Sequence, residues 1–179
     1  MIGSRVSRRY ARALFLQAQE NKLIDTIEKD LSDVKEIVEK SKKFSAMILS
    51  PVIPSAEKKK IFTEIFEKKI HPLSLNFLYL LLNKGREKFL LDTIWNFSRL
   101  IDDYRGMVRG QLFSAYPLNP NQMEELKKKL DRITGKNVQL TQQVDPSLIG
   151  GFVVKLDDTI IDSSIRNQLV KMKNVMISP

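Results

Sequence analysis

Apolar residues return every three or four positions through the first hundred residues, the spacing that lines one face of an α-helix. Val6, Tyr10, Ala13, Leu14 and Ala18 make one such face and Ile24, Ile27, Leu31, Val34 and Val38 a second, with Asn21-Lys22 as a tight connection between two antiparallel helices. A short apolar segment, Phe44, Met47, Ile48 and Leu49, is closed by Pro51 and Pro54. A fourth helix is expected from Ser55, whose hydroxyl can cap it, with Ile61, Ile65 and Phe66 inward. Pro72 suits the first turn of a fifth helix, Leu73–Asn83, apolar on nearly every side and therefore central. A sixth, from Glu87 to about Tyr104, carries Phe89, Leu90, Ile94, Trp95, Phe97, Leu100, Ile101 and Tyr104 as core. Six helices on connections of a few residues predict a compact bundle over residues 1–105.

At Gly106 the pattern changes, and residues 106–179 read as a second, smaller domain. Val108 to Tyr116 is rich in β-formers and has no helical stripe. Asn119-Pro120 looks like a cap and first-turn proline, with Gln122 placed to reach back; Met123, Leu126, Leu130 and Ile133 then form one helical face ending at Gly135. Val138, Leu140, Gln142 and Val144 alternate as a strand. Gly151 to Leu156, a turn at Asp157-Asp158, Thr159 to Ile161 and a last helix from about Ser163 complete the order β-α-β-β-β-α. The expected fold class is mainly α: an N-terminal six-helix bundle plus a small C-terminal α+β domain, its sheet carrying helices on one face.

The pair Gly150-Gly151 does not read as a phosphate loop, because a strand follows it where a helix would be needed. It fits a strand edge needing room for close packing. No stretch of 179 residues is apolar for long enough to span a bilayer, and no export signal is read at the N-terminus. Cysteine is absent, which removes disulfides and thiolate chemistry. The single histidine, His71, reads as an exposed loop residue at a helix start. Asp102-Asp103 and Asp157-Asp158 are sequence neighbours whose side chains diverge, so they read as solvated ends or turns. Asp162, Ser163 and Ser164 open a helix, where acid and hydroxyl meet free N–H groups. No cofactor, metal site or catalytic set is expected.

The net charge of +9 admits nucleic acid, acidic lipid or acidic protein as partner. Its distribution narrows the choice. Residues 1–105 hold 20 Lys/Arg against 14 Asp/Glu, and residues 106–179 hold 10 against 7, so neither part is a polycationic tail. Arg8-Arg9, Lys42-Lys43, Lys58-Lys59-Lys60, Lys68-Lys69 and Lys127-Lys128-Lys129 are short and interleaved with acids, as on solvated helix faces.

The stretch "LIGGFVVKLDDTIIDSSIRNQL" resembles the C-terminal signature of the δ subunit of F-type ATP synthases, the family that includes the mitochondrial oligomycin-sensitivity-conferring protein. "RRYARALF" (Arg8–Phe15) and "NFLYLLLNKGR" (Asn76–Arg86) resemble the same family, and the similarity covers essentially the whole chain. Family members often have glycine where Asp157 and Ser163 stand, so the turn and the helix start differ locally. The resemblance implies a non-catalytic stator subunit that links the peripheral stalk to the top of the catalytic head. It implies that the bundle receives the N-terminal helix of an α subunit at positions matching Tyr10, Ala13, Leu14, Asn76 and Leu80. It implies that the C-terminal domain meets the C-terminal helices of the b subunits. Gly150, Gly151, Asp162, Ser164 and Arg166 are the structural residues of the signature. The implied setting is peripheral, on the cytoplasmic face of a bacterial cell membrane through the complex, with no nucleic acid bound and no homo-oligomer formed. The competing expectation from charge alone is a basic helical module that binds RNA.

Overall fold

A computed structural model describes residues 4–156 and 159–177, so the expected turn at Asp157-Asp158 lies outside the described residues. The chain divides into two compact units, Met1–Ile101 and Asp102–Pro179. The division falls within the last turn of the sixth helix, ahead of Gly106.

The first unit is helical: α1 (Arg5–Glu20), α2 (Ile24–Lys40), α3 (Lys42–Leu49), α4 (Ser55–Phe66), α5 (Pro72–Asn83) and α6 (Leu90–Tyr104), the last preceded by a short 3-10 turn at Glu87–Phe89. The apolar faces of these helices meet in one core that includes Ala11, Leu14, Phe15, Ile27, Leu31, Phe44, Phe62, Leu78, Phe97 and Ile101. Ser4 and Ser41 cap α1 and α3 by accepting the amides of Ser7 and Phe44.

Four expectations about α4 and α6 need correction. Ser55 does not cap α4; Pro54 occupies the cap position and no side chain bonds there. The buried row of α4 is Lys58, Phe62 and Phe66, four residues apart, while Ile61 and Ile65 are only half-buried. Lys58 therefore leaves the solvated lysine clusters: it is 1% exposed and donates to Glu87 Oε1 and to the Ile48 carbonyl, each at 2.7 Å. On α6, Trp95 and Tyr104 are 37% and 57% exposed, because they point away from the buried line Leu90, Ile94, Phe97 and Ile101.

The second unit holds a sheet of order β2-β1-β3-β4, built from β1 (Met107–Ser114), β2 (Asn137–Val144), β3 (Phe152–Leu156) and β4 (Thr159–Asp162). β1 and β2 run parallel, with Gly110 opposite Leu140, and are joined by the crossover helix α7 (Pro120–Thr134). β3 is antiparallel to β1, with Leu112 opposite Val154, and β4 is antiparallel to β3. The predicted capping box of α7 is present: Asn119 and Gln122 exchange side-chain bonds with each other's amides. Gly135 ends that helix at φ 66°, a conformation glycine enters without steric penalty. Leu112, Leu126, Leu130, Val138, Val154 and Leu156 form the core. Ile133, expected on the buried face of α7, is 71% exposed.

Helices on one face describes α7 but not α8 (Ile165–Ile177), on which Ile165, Leu169, Val170, Met172 and Met176 are 42–85% exposed. Asp102 and Asp103 are more than solvated ends. Asp102 accepts both the Nε and an Nη of Arg109 on β1, and Asp103 accepts Lys136.

Candidate partner-docking surfaces

The first candidate surface is the seam between α1 and α5. α5 is set in place by two polar contacts at its start. His71 is its N-cap, its Nδ1 accepting the amide of Leu73, with Pro72 at the first helical position, so the histidine is a half-buried cap and not an exposed loop residue. The buried carboxylate of Asp30 on α2 accepts the amide of His71 at 2.8 Å and the hydroxyl of Ser74 at 2.6 Å, satisfying donors that the helix leaves free. Ser7 of α1 accepts the side-chain amide of Asn96 on α6 at 3.2 Å, a buried polar tie across the bundle.

On this frame the five expected contact residues separate. Tyr10 is half-buried, its ring meeting Phe77 of α5 edge-on at 6.5 Å between centroids. Ala13, one turn further along α1, is exposed, as is Asn76; Leu80, one turn beyond Phe77, is 43% exposed. These four residues flank the α1–α5 contact with accessible surface. Leu14 does not: it is 4% exposed and belongs to the core. Exposed Ala13 and Leu80 each stand one helical turn from a member of the Tyr10–Phe77 pair, small or apolar groups of the kind a guest helix can cover.

The C-terminal signature is a local architecture. Gly151 has φ 75°, and a Cβ there would stand 2.4 Å from the carbonyl oxygen of Ser163. The carbonyl of Gly150 accepts the amide of Ile165, and a Cβ on Gly150 would meet the Ile165 side chain at 2.6 Å. The glycine pair therefore serves close backbone packing. Asp162 Oδ1 accepts the amide of Ser164, and the buried Ser164 hydroxyl accepts the amide of Asn167, starting α8. Bonding from Ser164 holds the Asp162 carboxyl below its ordinary range. A lowered folded value means a contribution present at neutral pH and lost as acid protonates the group. The melting difference between wild type and Asp162→Ala should thus close below about pH 4, as a pH series of thermal melts will read. Arg166 is exposed, and among the described residues nothing bonds to its side chain.

Two further surfaces lie in the second unit. α8 presents the exposed apolar residues named above. A cavity of about 460 Å³ is lined by Tyr116, Leu118, Leu126, Phe152 and the two glycines, among others. Among the described residues no cluster of His, Asp or Glu could hold a metal ion, and no helix is long and apolar enough to cross a membrane.

A model of the family described as ATP synthase delta (OSCP) subunit matches residues 6–176. The chain belongs to the ATP synthase delta (OSCP) family. It is 36% identical to the ATP synthase subunit delta of Alkaliphilus oremlandii, covering 94% of this chain and 93% of that one. With the delta subunits of Desulforamulus reducens and Symbiobacterium thermophilum it shares 35% and 37% identity, over 99% of this chain and 98% and 96% of theirs. A chain of the Toxoplasma gondii mitochondrial ATP synthase hexamer has the same fold, with a TM-score of 0.68 at 21% identity over 98% of this chain and 99% of that one. A delta-family chain is a structural stator component and not a catalytic subunit.

The residues that sequence reasoning did not find are those whose partners lie far away in the chain. Asp30 reaches His71 across 41 positions and Lys58 reaches Glu87 across 29. Their only signal was a charged residue falling on an apolar face: Asp30 beside Ile27, Leu31 and Val34, and Lys58 one turn before Phe62.

Proposed function

We propose that this delta-family chain works as a non-catalytic stator subunit of an F-type ATP synthase, joining the peripheral stalk to the top of the catalytic head. The observation that carries the reading is the family match over residues 6–176, which spans both units. Torque from a rotor turns the head as well unless something holds the head against the membrane sector. Holding requires binding energy and stiffness and no turnover.

In this reading the α1–α5 seam takes the N-terminal helix of an α subunit, its apolar anchors covering Tyr10, Ala13 and Leu80 while Asn76 meets a polar group of the guest. The exposed apolar face of α8 belongs to the surface that meets the C-terminal helices of the b subunits. Attachment is peripheral, through the complex, on the cytoplasmic face of a bacterial cell membrane. The net positive charge speeds encounter with acidic partners more than it sets affinity.

Tyr10→Ala and Leu80→Asp each weaken binding of an α N-terminal peptide by more than about 1 kcal/mol, measured by calorimetry on the full chain. Unchanged affinity in both variants removes the seam from the account. The RNA-binding alternative draws no support from the family match. A binding curve against mixed RNA over a salt series tests it, since tight association that weakens steeply with salt would restore it.

A further inference from the structure

α1 opposes two rules of helix electrostatics at once. Arg5, Arg8, Arg9 and Arg12 are all exposed, and no Asp or Glu occurs on α1 before Glu20 at its last position. A helix N-terminus carries partial positive charge, which acids stabilise and bases oppose, yet the first turn holds no acid. The four guanidinium groups also stand at helical neighbour spacing: Arg5 from Arg8 and Arg9, and Arg12 from Arg8 and Arg9. Each such pair is repulsive. Among the described residues none of the four meets a carboxylate or an aromatic face. Other helices of the protein do otherwise: Lys35 pairs with Glu39 and Lys40 with Glu36 on α2, and Lys128 with Glu124 on α7.

Arg5, Arg9, Arg12 and Leu16 follow one another by four, three and four residues, a straight row along α1 about 16 Å long. Leu16, 54% exposed, gives the row an apolar end. We propose that this row is a docking surface for an acidic helix of another subunit of the synthase, one with carboxylates at matching three- and four-residue steps and an apolar residue opposite Leu16. Arginine suits the task because its planar fork takes a carboxylate with two parallel hydrogen bonds.

The row borders the α1–α5 seam and faces away from Tyr10: Arg5, Arg9, Arg12 and Leu16 lie about 100–160° around the helix from Tyr10, with Arg9 one turn before Ala13. A membrane surface fits less well, since one leucine is not the broad apolar face an interfacial helix buries. RNA fits less well too, because α1 adds no exposed aromatic ring to the row as a stacking platform: Tyr10 is half-buried against Phe77 and Phe15 is buried against Phe97.

The inference rests on the chain being a synthase subunit, and the test separates the two. Synthase stripped of this subunit is titrated with the full chain carrying R5E/R9E/R12E or R5Q/R9Q/R12Q, at low salt and at about 1 M, where charges are screened beyond about 3 Å. Charge reversal should weaken rebinding about tenfold or more at low salt, with the difference shrinking at high salt. The neutral variant should rebind with intermediate strength and melt no lower than wild type, since repulsion and dipole strain are both relieved. Wild-type rebinding by the reversed chain at low salt overturns the docking row and leaves the subunit reading standing, as does a neutral variant that melts lower. Failure of the wild-type chain itself to rebind removes both. Phosphatidylglycerol vesicles and mixed RNA are run alongside, and arginine-dependent binding to either one, without arginine-dependent rebinding to the synthase, overturns the acidic helix.

Discussion

Lys58→Ala lowers the stability of the helical unit by about 3–5 kcal/mol, the range seen when one partner of a buried ion pair is removed. The lysine ties three segments together: it rises from α4, donates to the carbonyl of Ile48 at the end of α3, and donates to Glu87 in the turn before α6. Its removal leaves a buried carbonyl and a mostly buried carboxylate without their donor, and Glu87 Oε2 is already buried without a hydrogen-bond partner. An unmet buried acceptor is expensive, because the group gave up water on folding. The paired variant Lys58→Met with Glu87→Leu should recover most of the loss, since well-packed apolar residues can replace a buried ion pair at little or no cost. The only tryptophan, Trp95 on α6, reports unfolding of this unit by fluorescence in urea. A loss below about 1 kcal/mol for Lys58→Ala, or strict additivity in the double variant, would mean that the three segments are held by apolar packing alone.

Gly151→Val should be comparably severe, and its effect should centre on α8. A non-glycine residue held at positive φ costs about 1–3 kcal/mol, and more for a branched one. Here the added Cβ also falls 2.4 Å from the backbone oxygen of Ser163 and 3.0 Å from Cα of Ser164, atoms that cannot move without displacing the start of α8. Gly135→Ala is the matched control. It has a similar φ, 66°, but nothing within 4 Å of the new Cβ, so it should cost only the conformational term of about 1–2 kcal/mol. Hydrogen exchange on the full chain separates the two: Gly151→Val should speed exchange of the Ser163 and Ile165 amides, which bond to Phe152 and Gly150, while Gly135→Ala leaves them protected. Equal protection in both variants would show that the glycine pair is not what seats the helix.

Much of the first unit could be read from periodicity. A helix face needs only local spacing, so the core lines Ile27–Leu31–Val34 and Ile94–Phe97–Ile101 were visible without any knowledge of what they pack against. Capping is equally local, which is why Asn119 and Gln122 could be paired from sequence and were found so. The candidate seam was legible only through resemblance to a family. Periodicity places Tyr10, Ala13 and Leu14 on one side of α1 without saying which of them a neighbouring helix covers; Leu14 went to the core and Ala13 to solvent.

The sequence alone determined where the helices and strands run, where helical character yields to β-character, and which family the chain belongs to, because each depends on residues close together in the chain or on a motif carried intact. Only the tertiary structure decided that Lys58 and Asp30 are buried polar ties, that Trp95 and Tyr104 face outward, and that α8 leaves Ile165, Leu169, Val170, Met172 and Met176 exposed. Burial belongs to a pair of surfaces, and residues 29 or 41 positions apart become a pair only when the chain has brought them together.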